Sequence, residues 1–92
     1  MTIKSFKNRD TEALWYGDDV RRFRGIRRQA QRRLALLANA AALADLLVFP
    51  GNRLHPLRGA REGQYAIRIN DQWRICFRWN NGPDDVEIVD YH

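Results

Sequence analysis

Two histidines stand in this chain, His55 in "RLHPLRG" and His92 at the end of "VDYH". An imidazole changes charge near neutral pH and can pass a proton in either direction. Asp90 precedes His92 by two positions. In an extended strand that spacing puts both on one side, with Tyr91 on the other. A carboxylate so placed can orient the ring and raise its pKa, which suits a general acid or base. The same trio could be a solvated tail, and a final histidine could be a tag remnant. His55 precedes Pro56, which favours an extended loop. It could equally be a loop residue bonded to backbone. Cys76 falls in mid-strand with no activating partner in sequence, and a structural, half-buried thiol is the expectation. A single cysteine can form neither an internal disulfide nor a paired zinc site. No glycine-rich phosphate loop, HExxH, GxSxG or calcium-spaced carboxylate run occurs. No metal or other cofactor is expected.

The remaining reactive groups are cationic. Formal net charge is +5 and the pI is about 10.1, values common among nucleic-acid-binding domains. Arginine supplies most of the charge, and its flat fork of donors matches phosphate oxygens. Seven arginines, Arg21, Arg22, Arg24, Arg27, Arg28, Arg32 and Arg33, crowd one segment with no nearby acid expected to relieve them. A polyanion partner is the natural reading.

Something must position these groups. Ninety-two residues suit one small domain, 1–92, with a compact core. Hydrophobic residues are 45% of the chain, near the globular average. The longest apolar run, Ala40 to Pro50, is broken by Asp45 and is too short to cross a membrane. "MTIKSFKNRD" is too polar for a secretory signal, so a cytoplasmic protein is expected.

"TIKSF", Thr2 to Phe6, is a strand candidate. A short helix fits roughly Arg9 to Tyr16, with Asn8 or Asp10 as cap and Gly17 as stop. A long helix should start at Asp18 or Asp19. Its stripe is Val20, Phe23, Ile26, Ala30, Leu34, Leu37 and Ala41, at steps of three or four, and the arginines fill its other sides. Asn39 is a break point. A helical turn in "AALADLL" follows, ended by Pro50 and Gly51.

The pattern then changes to period two in "QYAIRIN", "QWRICFRWN" and "VEIVDY". Tyr65, Ile67 and Ile69 share one face; so do Trp73, Ile75, Phe77 and Trp79. Only an odd-numbered loop, Asn70 to Gln72 at its shortest, pairs Ile69 with Trp73 and Ile67 with Ile75. The opposite face then carries Ala66, Arg68, Arg74, Cys76 and Arg78. Arg68 falls directly opposite Arg74, which is destabilising unless an anion lies between them. "NNGPDD" is a turn into the last strand. The predicted fold is α+β, with two to three N-terminal helices on one face of a mainly antiparallel sheet of four to five strands. Its open face is the arginine face.

"RLHPLRGAREGQYAIRINDQWRICFRW", with the ending "EIVDYH" and the opening "TIKSFKNRDTEALWYG", resembles the HigB toxins, a branch of the RelE/ParE superfamily of bacterial toxin–antitoxin systems. The resemblance spans essentially the whole chain. It is most specific in "LHPLRG…REG", in "WRICF" and in the terminal "DYH". It implies a ribosome-dependent endoribonuclease that enters the empty A site and cuts mRNA there. It implies active-site positions at His55, Arg58, Arg74, Asp90, Tyr91 and His92, and it argues against a tag remnant. Arg58 departs from the family's frequent lysine. Arginine holds its proton too tightly for acid–base work, so it should supply charge alone.

Under that resemblance the expected chemistry is metal-independent attack of an RNA 2′-hydroxyl on its own phosphate. His92, oriented by Asp90, is the leading base. His55 is an acid or a phosphate ligand, and the two roles can be exchanged. Arg74 and Arg58 would hold the developing charge, and Tyr91 would stack or position. Arg21, Arg24, Arg28 and Arg32 would meet ribosomal RNA on the 70S ribosome, with Arg68 and Arg78 as further RNA contacts. The family's partner is a helix-turn-helix antitoxin, HigA. Two competing readings are a non-catalytic gyrase inhibitor of the ParE kind and a plain basic nucleic-acid-binding module.

Overall fold

A computed structural model describes residues 3–90. Helix α1 spans Arg9–Trp15, with the Asn8 side chain accepting a hydrogen bond from the Thr11 amide at 2.9 Å. That bond satisfies one of the first-turn amides that a helix leaves unpaired. Gly17 follows at φ 95°, a backbone state open to glycine.

The expected long helix is broken in two. Arg21–Ile26 form a 3₁₀ segment, and α2 runs over Arg27–Asn39. Neither Asp18 nor Asp19 caps it; Val20 holds the cap position without a side-chain hydrogen bond. The Asp19 carboxylate instead grips Arg24, with contacts of 2.9, 3.2 and 2.6 Å. An aspartate drawn to a guanidinium cannot cap, and Gly25 inside the segment further weakens an α-helix. The apolar stripe survives the break. Phe23, Ile26, Ala30, Leu34 and Leu37 are all buried. Ala41 is exposed, because the chain becomes extended at Ala40, which takes the core position instead. A second 3₁₀ segment follows at Leu43–Val48 and a third at Pro50–Asn52, so Pro50 starts a turn as well as ending one.

The sheet has four strands: β1 (His55–Pro56), β2 (Tyr65–Arg68), β3 (Trp73–Trp79) and β4 (Pro83–Asp90), in the order β1-β2-β3-β4 and antiparallel throughout. Ile67 faces Ile75 and Arg68 faces Arg74, as the odd loop requires. The Ile69 amide donates to the Trp73 carbonyl at 3.0 Å. Asn70 closes that turn, its side-chain oxygen accepting from the Gln72 and Trp73 amides at 2.8 Å each. One extra residue, near Asp85 at φ 49°, puts a bulge into β4 opposite Phe77.

The helices cover one face of this sheet. Phe23, Leu34 and Leu37 pack with Ile67, Ile75, Phe77, Val86 and Ile88 in a single core. The Phe23 ring meets Trp73 edge-on, at 5.5 Å between centroids. The Thr11 hydroxyl accepts from the Ile88 amide at 3.0 Å in a buried position and so ties α1 to β4. The expected first strand is not formed by Ile3–Phe6; Thr2 lies outside the described residues. Phe6 makes an isolated parallel bridge to Val86, flanked by a bond from the Lys4 amide to the Pro83 carbonyl at 2.8 Å. This extended segment and Thr11 cover the outer edge of β4, which would otherwise be an open pairing edge. Among the described residues, no helix is long and apolar enough to cross a membrane.

Candidate functional site

The face away from the helices is built in rows. His55, Ala66, Cys76 and Glu87 lie opposite one another across the four strands. The next row is Arg68, Arg74 and Val89. The expectation of an open arginine face is half corrected. Ala66 and Cys76 are fully buried beneath Leu57, in a small second core. The β1–β2 connection folds over them because Arg61 anchors it. Arg61 Nη1 donates to Glu87 Oε1 at 2.7 Å and to Gln64 Oε1 at 3.2 Å. Glu87 is a buried carboxylate; a charge in that setting needs such a partner. Burial pushes the Cys76 thiol above its ordinary pKa, against a smaller opposing pull from Arg61. A thiol so placed is a poor nucleophile.

Arg68 and Arg74 sit at the uncovered end of this face. The chain supplies its own anion there: Arg68 Nη2 meets Asp71 Oδ1 at 2.5 Å. Arg68, by hydrogen bond and charge, holds the Asp71 carboxyl below its usual range, and Arg74 and Arg53 add to the pull. Arg74 Nη1 donates to the carbonyls of Asn70 and Trp73. Arg78 lies on the covered side, 3.7 Å from Asp85, with its guanidinium against Gly63. A Cβ at Gly63 would approach Arg78 Nη1 to 2.8 Å, and Gly63 has φ 89°. The loop therefore needs glycine at that point.

His55 is half-buried. Its Nδ1 lies 2.9 Å from the Arg53 carbonyl oxygen. A carbonyl only accepts, so Nδ1 carries the hydrogen in this contact and Nε2 is left for other partners. Arg53 holds that carbonyl from a left-handed conformation, φ 48°, unusual outside glycine and asparagine. By strand spacing, His55 is roughly 8 Å from Arg68 and roughly 12 Å from Arg74 between Cα atoms.

The other expected site residues are less gathered. Arg58 is exposed and leads into a 3₁₀ turn at Gly59–Arg61, three residues beyond His55. Asp90 is exposed and accepts from Gln72 Nε2 at 3.2 Å. Its register partner is Trp73, a core-packing residue. Strand alternation thus puts Asp90 on the helix side and not in the row of Arg74. Tyr91 and His92, and with them the pairing of Asp90 with His92, lie outside the described residues.

A second cationic surface lies on the 3₁₀ segment and α2. Arg24, Arg27, Arg28 and Arg32, with Gly25, Ile26 and Gln29, line a shallow basin of about 620 Å³. Arg21 is exposed but does not line it. The expectation that no acid relieves these arginines is wrong at two positions. Arg24 pairs with Asp19 at 2.6 Å, and Arg22 lies 3.6 Å from Asp10. The Arg24 hydrogen bond lowers the Asp19 pKa. Arg22 also lies over Phe23, 4.6 Å from the ring centroid, so it serves packing as well as charge. Among the described residues, no group of three or more His, Cys, Asp or Glu is arranged to hold a metal ion. Sequence reading missed Arg53, Arg61, Asp71 and Glu87.

Comparison with known proteins gives the chain's family. Residues 4–92 match the family described as the RelE-like toxin of the type II toxin–antitoxin system HigB. The chain is 39% identical over 61 residues to Toxin HigB-1 of Vibrio cholerae, covering 66% of this chain and 64% of that protein. It is 46% identical over 39 residues to Endoribonuclease HigB of Proteus vulgaris, covering 42% of this chain and 40% of that one. The matched stretches thus span less than two thirds of either relative.

Proposed function

Since this chain belongs to the HigB family of RelE-like toxins of type II toxin–antitoxin systems, we propose that it is an endoribonuclease that cuts mRNA in the ribosomal A site and so stops translation. One observation carries the reading: His55, with its Nδ1 on the Arg53 carbonyl, shares a sheet face with the facing arginines Arg68 and Arg74. A proton-transfer group beside clustered guanidinium is what RNA transesterification needs. The naming of the Proteus vulgaris relative as an endoribonuclease agrees with it.

The 2′-hydroxyl of the target nucleotide loses its proton to a base, and its oxygen attacks the adjacent phosphorus. The bond from phosphorus to the 5′ oxygen breaks, and that oxygen takes a proton from an acid. The products are a 2′,3′-cyclic phosphate and a 5′-hydroxyl. His55 Nε2 can take either role, accepting as the neutral ring or donating as the cation. His92, with Asp90 and Tyr91 beside it in sequence, is assigned the complementary role. Arg74 and Arg58 offset the charge that builds on the phosphate oxygens. Arg58 takes no part in proton transfer. The cationic basin on α2, with Arg21, holds the protein to ribosomal RNA, leaving the sheet face for mRNA. The reaction requires no metal, the protein acts in the cytoplasm, and a HigA-like antitoxin silences it.

The test uses programmed ribosomes carrying end-labelled mRNA. Wild type should cut at the A-site codon. His55→Ala and His92→Ala should each slow the cut by about 10²- to 10⁴-fold, the usual weight of one acid–base group. Undiminished cutting by both variants would remove the histidines from the mechanism.

A further inference from the structure

The hairpin between β2 and β3 presents an anion to its own arginines. Arg68 and Arg74 are directly opposed, an arrangement that costs stability unless a negative charge intervenes. Asp71, at the exposed tip of the hairpin, reaches back to Arg68 at 2.5 Å while its own side chain stays 98% exposed. The Arg74 guanidinium turns toward the same tip and donates to the Asn70 carbonyl.

From this geometry we propose that Arg68, beside Arg74, forms a subsite for an RNA backbone phosphate next to the one that Arg74 helps to hold for cutting, and that Asp71 occupies it in the free protein as a stand-in carboxylate. The inference rests on the endoribonuclease reading and deepens it. An RNA phosphate and a carboxylate offer the same geometry to a guanidinium fork. An exposed ion pair within one hairpin is weak and is displaced at little cost. The Arg68 guanidinium, whose hydrogen bond and charge hold the Asp71 carboxyl below its usual range, is then available to the incoming phosphate. RNA is favoured over an acidic peptide because the subsite continues into the His55 face, where a phosphodiester would be handled. Asp71 thus sets a threshold: it keeps Arg68 ordered, and it weakens RNA binding by the strength of one exposed ion pair.

The experiment measures binding of the full chain to a short single-stranded RNA by fluorescence anisotropy, with wild type, Asp71→Asn, Arg68→Gln and the double variant. Asp71→Asn should tighten RNA binding by about two- to fivefold, the reach of an exposed pair. The gain should vanish when Arg68→Gln is added. In parallel, NMR follows the Asp71 carboxyl, which should return toward the ordinary carboxylate pKa when RNA is saturating. If wild type binds RNA but Asp71→Asn binds equally or more weakly, the subsite is overturned while the endoribonuclease reading stands. Tightening for a polyglutamate peptide and none for RNA also overturns it, in favour of a protein carboxylate. If neither chain binds RNA, both the subsite and direct RNA contact by this face fail. Cleavage assays on ribosomes then decide the wider reading separately.

Discussion

The Arg61–Glu87 pair holds the loop that carries Arg58, and its removal should be asymmetric. Glu87 is 11% exposed at its side chain and Arg61 is 36% exposed. Removing the arginine leaves a carboxylate in a nearly dry place, with Asn8 Nδ2 at a long 3.5 Å as its other contact. Removing the charge on Glu87 leaves a guanidinium that can turn to water and to Gln64. Breaking a fully buried pair costs about 3–5 kcal/mol. One partner here is a third exposed, so solvent screening reduces this to about 1–2 kcal/mol for Arg61→Gln. Glu87→Gln should cost less, about 0.5–1 kcal/mol. The double variant should lie closer to wild type than the Arg61→Gln single, because no charge is left stranded. For a domain of this size, 1 kcal/mol moves Tm by about 4–8 °C. Thermal unfolding of the four proteins reads the cycle. Hydrogen exchange at the Leu57 amide, bonded to the Gln64 carbonyl at 2.8 Å, reads the loop. It should exchange faster in Arg61→Gln. An Arg61→Gln protein with wild-type Tm and unchanged exchange at Leu57 would refute the reasoning.

Other consequences are as concrete. Thr11→Val leaves the buried Ile88 amide without its acceptor and should cost about 1–3 kcal/mol by thermal melt; a neutral result would mean the amide finds another partner. Cys76 should resist iodoacetamide in the folded protein and react once denatured. Its thiol pKa is raised on folding, so the folded state holds the proton longer. The associated stability is therefore complete below the free-thiol pKa of about 8.5 and declines as pH rises from there through the higher folded value. Denaturant midpoints of wild type and Cys76→Ala, compared between neutral and alkaline pH, should diverge in that window. Arg28→Gln with Arg32→Gln should weaken ribosome binding and lower its salt slope by about one unit per lost phosphate contact; an unchanged slope would detach the α2 basin from RNA.

Much of this architecture was readable from residue pattern, for definite reasons. The β2–β3 register followed from period two and an odd loop, since any even loop would turn the Ile67–Ile75 pair out of the core. The apolar stripe through Phe23, Ile26, Ala30, Leu34 and Leu37 was correct although the helix carrying it was not continuous. A 3₁₀ segment joined to an α-helix presents nearly the same face over so few turns. The break itself depends on Asp19 choosing Arg24 over the backbone, a competition between two local bonds that spacing does not resolve. Ile3–Phe6 looked like a strand because strand composition and an extended edge segment are alike. Within the candidate site, Arg68 opposite Arg74 could be placed once parity was known, whereas His55, expected in an extended loop, pairs with Ala66 in a two-residue strand that no alternation announces. Arg61 on Glu87 could not, since it joins a loop to a distant strand with no periodic trace. The same holds for Arg33, whose Nη1 meets the buried Asn52 side chain at 2.6 Å. The left-handed Arg53 had no local signal, because arginine rarely adopts that state.

The central claim is that the RNA's own 2′-hydroxyl is the nucleophile in a cut made on the ribosome. The direct measurement programs ribosomes with two mRNAs, one all-ribose and one with a single 2′-deoxynucleotide at the scissile position of the A-site codon. The account predicts that the first is cut, leaving a 2′,3′-cyclic phosphate and a 5′-hydroxyl, and that the second stays whole at that position. Equal cutting of both, or an intact all-ribose mRNA, would contradict it.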